Sequence, residues 1–368
     1  MRPVFVLDAV RAPLGARGGS LAGWHPADLA GQLLRVVVER TGIDPATVDD
    51  VLLGCAMPVG NQGFNVARSA VLAAGWPAHV PAGTVDRQGV SSLSAIAMAS
   101  RAVASGACDI VVAGGVEVMS TTPPGATLVP GAQPFGPAMG ERYRDRGGLI
   151  PPGVAAEALG LPRTALDAYA RRSHERAVAA APDPALVPIG AAKADELPRA
   201  DLGDDELAGA RAAFVPDGAV TAANSAAMAD GAAVVVVVSE AVAAASGCSP
   251  LARVVATTEV GVDPIVMLSG AVPATEAVVA RAGIDVTDVA RFELAEPFAA
   301  VPLAWLAALG VDPDRLNPGG GGIALGEPTG ATGARLVATL AHGMTGAWGV
   351  AAGVASGGLG AAVLLGRP

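Results

Sequence analysis

Aromatic side chains are scarce, at 3% of the 368 residues. A core this poor in rings must be filled by Ala, Val and Gly. Apolar residues do reach 52%, with 48 Gly, a composition suited to helices and sheets packed backbone to backbone. Long hydrophobic runs are also missing. Mean hydropathy is +0.48, yet stretches such as Ala232–Val238 fall far short of the roughly 18–20 residues that a membrane span needs. The opening MRPVFVLDAVRAP reads as a strand with an early Asp8, without the charged start, long apolar stretch and cleavage site of a signal peptide. The expectation is a cytoplasmic protein with no membrane partner. Cysteine is sparse: Cys55, Cys108 and Cys248 are odd in number, widely spaced and free of C-x-x-C pairing, which suggests neither a disulfide framework nor a metal site. Positive charge is in deficit, and the net charge of −10 disfavours nucleic acid or anionic lipid as partner. The one local basic run is Arg142, Arg144 and Arg146 in GERYRDRGG, which either meets an anionic ligand or stays solvated.

What is present is a plan used twice. TVDRQGV (Thr84–Val90) leads into a small-residue helix, SSLSAIAMASRAVASG, then a buried strand, DIVVAGGVEVMS, with a further strand at GAAVVVVVSE. Later, LNPGGGGIALGEP precedes the helix GATGARLVATLAHG, the strand WGVAAGVASGG and the closing GAAVLLGRP. Both helices are apolar or small nearly all round, so each is expected between layers, flanked by two sheets. ERTGIDPATVDDVLLG and ARAGIDVTDVARFEL also match, each a helix end, an acidic turn and a strand. The repetition implies an internal duplication: two α/β halves related by a pseudo-twofold axis. Between Ser120 and Ala223 the composition shifts toward Pro, Arg and Asp around one amphipathic stretch, PRTALDAYARRSHERAVAAA. The expected domains are residues 1–119 plus 224–250, an inserted loop domain at 120–223, and a second half at 251–368.

Leu316–Arg335, LNPGGGGIALGEPTGATGAR, resembles the C-terminal signature of the thiolase family, with Glu327 where the family has histidine. Ordered matches run through the rest of the chain: VFVLDAVRAPLGARGGSL, GNQGFNVARSAVLAAG, VVAGGVEVMSTTP and DGAVTAANSAAMADGAA. The resemblance implies the five-layered αβαβα thiolase fold, two pseudo-twofold-related halves with an inserted loop domain. It further implies a homodimer or homotetramer. The substrate implied is an acyl-CoA or an acyl carrier protein thioester whose pantetheine arm enters beneath the loop domain past Met139, Ser225 and Phe298. No cofactor is expected beyond coenzyme A or phosphopantetheine as part of that substrate.

The resemblance also places four replaced positions. The family's acyl-accepting cysteine falls on Gly89 in DRQGVSSL, its asparagine on Ala295 in AEPF, its histidine on Glu327 and its second cysteine on Val354 in VASGGLG. A thiolate is a strong nucleophile and a competent base, and Gly and Val are neither. The resemblance also implies an oxyanion site built from two backbone N–H groups, here those of Gly89 and Ser356, which does not depend on side chains. Two functions follow as expectations. One is a thioester enzyme without a covalent intermediate, in which Glu327 transfers a proton while Gly89 and Ser356 polarise the carbonyl for C–C bond chemistry, decarboxylation or acyl transfer. The other is a noncatalytic thiolase-like subunit beside an active thiolase or an OB-fold, zinc-ribbon companion.

Residue by residue, alternatives stay open. In a Gly- and Ala-lined pocket desolvation raises a carboxyl pKa toward neutrality, so Glu327 is either an acid/base or a drifted residue paired with an arginine or solvent. Ser91 echoes a nucleophile elbow in two of its three fixed positions, and a hydroxyl capping the first helical turn is the commoner fate. Cys55 and Cys108 adjoin apolar strands away from the glycine turns and read as core. His174 and His342 are expected at the surface, and His25 and His79 adjoin prolines in loops. Gly319–Gly322 lacks the Lys-Ser/Thr of a phosphate loop, and close backbone approach to a buried helix explains it better.

Overall fold

The computed structural model describes residues 2–146 and 150–368. The first half runs β1 (Val4–Arg11), the short β2 (Gly15–Ala16), α1 (Pro26–Thr41), β3 (Asp50–Gly54), α2 (Val66–Ala73), β4 (Ala82–Val85), α3 (Ser91–Ser105) and β5 (Ile110–Val118). An excursion follows with α4 (Pro137–Tyr143), α5 (Pro152–Glu157), α6 (Arg163–Ala179) and α7 (Asp204–Gly209), before β6 (Ala229–Ser239) and α8 (Glu240–Ala245). The second half is β7 (Ala252–Gly261), α9 (Ala271–Ala282), β8 (Arg291–Leu294), α10 (Ala300–Leu309), α11 (Gly322–Leu325), α12 (Thr332–Gly343), β9 (Trp348–Ala355) and β10 (Leu359–Gly366).

The duplication is visible in strand pairing. In the first half β3 runs parallel to β5, and β5 and β1 flank β6 antiparallel. In the second half β8 runs parallel to β9, and β9 and β7 flank β10 antiparallel. The repeated helix-turn-strand segments superimpose in conformation: Gly42 and Gly283 both end their helices at φ 69°, and the Asp44 and Asp285 side chains each accept an N–H two residues on, at 2.9 Å. A left-handed glycine followed by an acidic cap is what stops each helix and turns the chain into the next strand.

The two sheet layers expected from the sequence are joined at one edge, and among the described residues the strands run in one continuous order, β4-β3-β5-β6-β1-β7-β10-β9-β8. The halves join where β1 meets β7 at Phe5 and Val6 alone. Pairing there satisfies backbone groups that two free sheet edges would leave open. Three apolar clusters mark the layers. One lies between α1, α2 and the outer face of the first half; the middle one surrounds α3 and α12; the third packs α9 and α10 against the second half. The central helices touch closely. The Ser92 hydroxyl accepts the Ala334 N–H at 2.9 Å, and a Cβ on Gly333 would lie 2.7 Å from the Leu93 nitrogen, so only glycine permits this approach.

Two histidines depart from expectation. His174, on α6, is buried, and its Nδ1 accepts the Arg199 N–H at 3.1 Å. His342 lies within α12 rather than after it, its side chain largely enclosed and its Nε2 2.9 Å from the Ala9 carbonyl oxygen. His25 caps α1 through Nδ1, 3.3 Å from the Ala27 N–H. Imidazole is apolar enough to bury once one nitrogen is paired, and a polar-looking stretch conceals that. Arg142 and Arg144 are exposed; the Arg146 side chain and Gly147–Gly148 lie outside the described residues. Among the described residues no helix is long and apolar enough to cross a membrane, and no group of three or more His, Cys, Asp or Glu is placed to hold a metal ion.

Candidate active site between the halves

The site gathers where the turns into α3 and α12 meet the end of β9. Gln88–Val90 forms one 3-10 turn ahead of α3, entered through Gln88 at φ 50°. A non-glycine residue in that region is strained unless its surroundings hold it. They do: the Ser91 hydroxyl accepts the Arg87 N–H at 2.9 Å and donates to the Gln88 carbonyl at 2.6 Å, and the Arg87 guanidinium reaches Ser94 at 3.1 Å and Glu259 at 2.5 Å. Ser91 is thus a tie within the turn. Gly89 is buried against β9, and a Cβ there would stand 2.8 Å from the Val354 carbonyl oxygen. Ser356 follows β9 directly and is half-buried.

Ala295 packs beside the same turn: a Cβ on Gly353 would touch the Val90 side chain at 3.3 Å and Ala295 at 3.7 Å. From Ala295 the chain leads through Glu296 to Gly322, whose Cβ position is 3.1 Å from Glu327 Oε2 and 3.6 Å from the Glu296 nitrogen. Glu327 is anchored by its own N–H, which donates to the Ala227 carbonyl at 3.0 Å. Structure therefore brings Gly89, Val354 and Ser356 together, joins Ala295 to them, and sets Glu327 beyond Glu296.

Three carboxylates at these turns differ sharply. Glu117, at the end of β5, accepts the N–H groups of Ala56 at 2.8 Å, Met57 at 3.2 Å and Gly330 at 2.9 Å, with the Gln62 amide at 2.5 Å. Glu296 accepts from Tyr169 at 2.7 Å, Asn317 at 2.6 Å, Ser173 at 2.9 Å and the Ile323 N–H at 3.2 Å. Both are saturated clamps. Glu327 is buried with its Oε2 unpartnered. Burial pushes its pKa up to about 7, opposed by Arg335 and assisted by Glu296, which is the range for proton exchange at neutral pH.

Among the described residues, two cavities are lined largely by the excursion. One of about 650 Å³ is lined by His174, Leu197, Arg199, Ser225, Ala227 and Ile323, so it shares Ala227 with the anchoring of Glu327 and Ile323 with that of Glu296. The other, about 750 Å³, is lined by Arg163, Arg211, Phe214 and Asp217. Phe214 stacks edge-on against Phe298, ring centres 5.6 Å apart, and Phe298 bridges Ser225 through its backbone. Ser225 donates to the Thr221 carbonyl at 2.6 Å, leaving its lone pairs available as acceptors. Met139 sits half-buried on α4 and lines neither cavity. Cys55 is buried as expected, yet it is not away from the glycine turns: a Cβ on Gly330 would lie 2.7 Å from its Cα. Burial and the adjoining Glu117 push its thiol pKa far up, so it is no nucleophile. Gly320 fulfils the close-approach reading, since a Cβ there would stand 2.7 Å from the Ser173 carbonyl oxygen on α6. Glu117 and Arg335 are not singled out by sequence, and AGGVEVMS is the local signal for the first.

A scaffold of two pseudo-symmetric α/β halves around paired central helices is that of the thiolases, and the chain belongs to the thiolase family. The Thiolase, N-terminal domain profile matches residues 4–241 and the Thiolase, C-terminal domain profile residues 248–367. Steroid 3-ketoacyl-CoA thiolase FadA6 of Mycobacterium tuberculosis is 39% identical over 92% of this chain and 87% of its own. The β-ketoadipyl-CoA thiolase of Escherichia coli is 38% identical over 93% of each. The crystal structure of the Bacillus anthracis acetyl-CoA acetyltransferase matches with a TM-score of 0.90 at 35% identity, covering 100% of this chain and 99% of that one.

Proposed function

We propose that this chain acts on an acyl-CoA thioester without forming an acyl-enzyme, using Glu327 as the acid/base. The reading rests on one observation above all: beside two saturated glutamates, Glu327 keeps a buried carboxylate oxygen with no partner and a pKa of about 7. The relatives named for CoA thioesters support the substrate class. Position 89 supplies no side chain, and the Val354 carbonyl crowds the space a side chain would take. The amides of Gly89 and Ser356 receive the thioester oxygen, at the start of a helix where unpaired N–H groups and the dipole favour negative charge. Glu327 takes a proton from the carbon beside the carbonyl, the electron pair moves onto the oxygen, and the enolate carbon attacks the thioester carbonyl of a second acyl-CoA, whose CoA leaves as the thiolate and takes up the proton held by Glu327. The chain of the substrate lies along Ser225 and Phe298, with Met139 above on the excursion.

Acetyl-CoA is expected to leave the protein's mass unchanged, and an acyl adduct would overturn the empty nucleophile position. In deuterated water the protein is expected to exchange the α-hydrogens of acetyl- or acetoacetyl-CoA, and Glu327→Gln to slow that exchange by about 10²–10⁴-fold. Equal rates in both proteins would remove Glu327 from the chemistry. Absence of any exchange or turnover in the wild-type chain would favour the noncatalytic reading.

We further infer a homodimer through the first half. β4 is an edge strand, paired with β3 alone and only half-buried; Asn65 bonds the β4 carbonyl of Ala82 at 2.9 Å. Beside it Phe64 is fully exposed and Leu72 is 52% exposed. An open strand edge flanked by bare apolar side chains is a surface that a second copy covers. Phe64→Asp is expected to shift the mass measured by light scattering toward the monomer.

A further inference from the structure

The seam between β8 and α12 holds a second oddity. Phe292 and Leu294 point into the outer apolar layer, so the alternating Arg291, Glu293 and Ala295 face inward toward α12. Arg291 donates to the Gly343 carbonyl at the end of α12 at 3.0 Å and to Glu293 Oε1 at 2.7 Å. Further along α12, Arg335 is 1% exposed, and its Nε, Nη1 and Nη2 all lack partners. Two buried oxygens are orphaned with it: Glu293 Oε2 and Glu327 Oε2. Glu293 and Glu327 both act on Arg335 through their charge, and the second is the carboxylate at the site.

Few other charges reach Arg335. Arg11 approaches from β1, but two carboxylates neutralise it, Asp183 at 2.7 Å and Asp195 at 2.8 Å. Glu296, at the end of β8, acts on both Arg335 and Glu327 but has its oxygens occupied by four donors. From the strand side, Ala227 and Met228 bring only backbone to Glu327. A guanidinium buried with no partner is too costly to stand alone. Ordered water between a buried cation and two orphaned carboxylate oxygens gives each of them a partner.

We propose that Arg335 is the positioning residue for Glu327: buried in the β8–α12 seam that it shares with Glu293, it supplies through trapped water the buried counter-charge that sets the protonation state of Glu327. This deepens, and rests on, the reading of Glu327 as the acid/base. The cation draws the carboxyl toward ionisation against burial, and Glu293 competes for the same cation. The two neighbours therefore act on Glu327 with opposite sign.

The test reads Glu327 itself, by its carboxyl band in pH-difference infrared spectra, assigned by loss of the band in Glu327→Gln. In Arg335→Gln the titration midpoint is expected to rise by at least about one pH unit, with the acid-exchange pH profile following it, and Arg335→Lys to restore most of the shift. In Glu293→Gln, which keeps the seam's shape, the midpoint is expected to fall. An unmoved midpoint in folded Arg335→Gln, or in Glu293→Gln should the first not fold, overturns the proposal. Shifted midpoints together with undiminished exchange in Glu327→Gln would uphold the role of Arg335 while removing Glu327 from the chemistry.

Discussion

The turns into the two central helices occupy equivalent places and bury opposite things. Ahead of α3 lies a glycine whose flanking side chains are all tied: Ser91 closes the turn on itself, and Arg87 spans to Ser94 and Glu259. Ahead of α12 lies a carboxylate with a free oxygen, backed by an arginine with no partner. The first turn is rigid backbone with nothing to titrate, and the second carries unspent polarity in the middle of the protein. Duplication supplies matching geometry, and under the proposed function the two copies divide the work: one presents amides, the other a proton. Each buried group left unpaired costs stability, so the second turn is where function is expected to conflict with folding.

The largest consequence is a pH dependence. An unfolded glutamate ionises from its ordinary value of 4.5, whereas folded Glu327 holds its proton to about 7. Between those values the unfolded chain binds fewer protons, so stability falls as pH rises, and the whole loss is present above about pH 7. Glu327→Gln is expected to recover on the order of 3 kcal/mol at pH 8 and almost nothing at pH 4, measured as the difference between urea unfolding curves of the two proteins. A pH-independent difference would erase the contrast between the turns.

Smaller effects separate clamp from acid. Gly330→Ala would put a Cβ 2.5 Å from Glu117 Oε2 and 2.7 Å from the Ala56 nitrogen, breaking a saturated network at a cost of about 2 kcal/mol. Gly322→Ala would meet only the unpartnered Glu327 Oε2 at 3.1 Å, and denaturant midpoints are expected to show a loss under about 1 kcal/mol. Cys55 sharpens the picture by doing nothing. Its thiol is buried beside Glu117, so iodoacetamide at pH 8 is expected to leave it unmodified in the native protein, as peptide mass mapping would register.

How far the sequence reaches follows the same division. Features carried by local chemistry were readable: the small-residue faces of α3 and α12, the paired GID turns with their left-handed glycines, the buried strands at Ile110–Val118 and Ala229–Ser239. Glu327 was legible through its place in the Gly-rich signature. What escaped depends on distant partners. That Glu117 gathers donors from Ala56, Met57, Gln62 and Gly330 cannot be seen in AGGVEVMS. His174 looks like one polar residue among many on α6, because burial is decided by the Arg199 strap that crosses it. The joining of two sheets into one hangs on Phe5 and Val6 meeting Arg253 and Ala252, a contact that no period in either strand announces.

The closeness of Val354 to Gly89 bears on what position 89 can accept. A thiol introduced there would bring its methylene carbon 2.8 Å from a carbonyl oxygen of β9, a strand held along its length by β10. One codon therefore does not seat a sulfur at this turn; the neighbouring strand end would have to retreat as well, so the position is closed by backbone before any side chain is chosen.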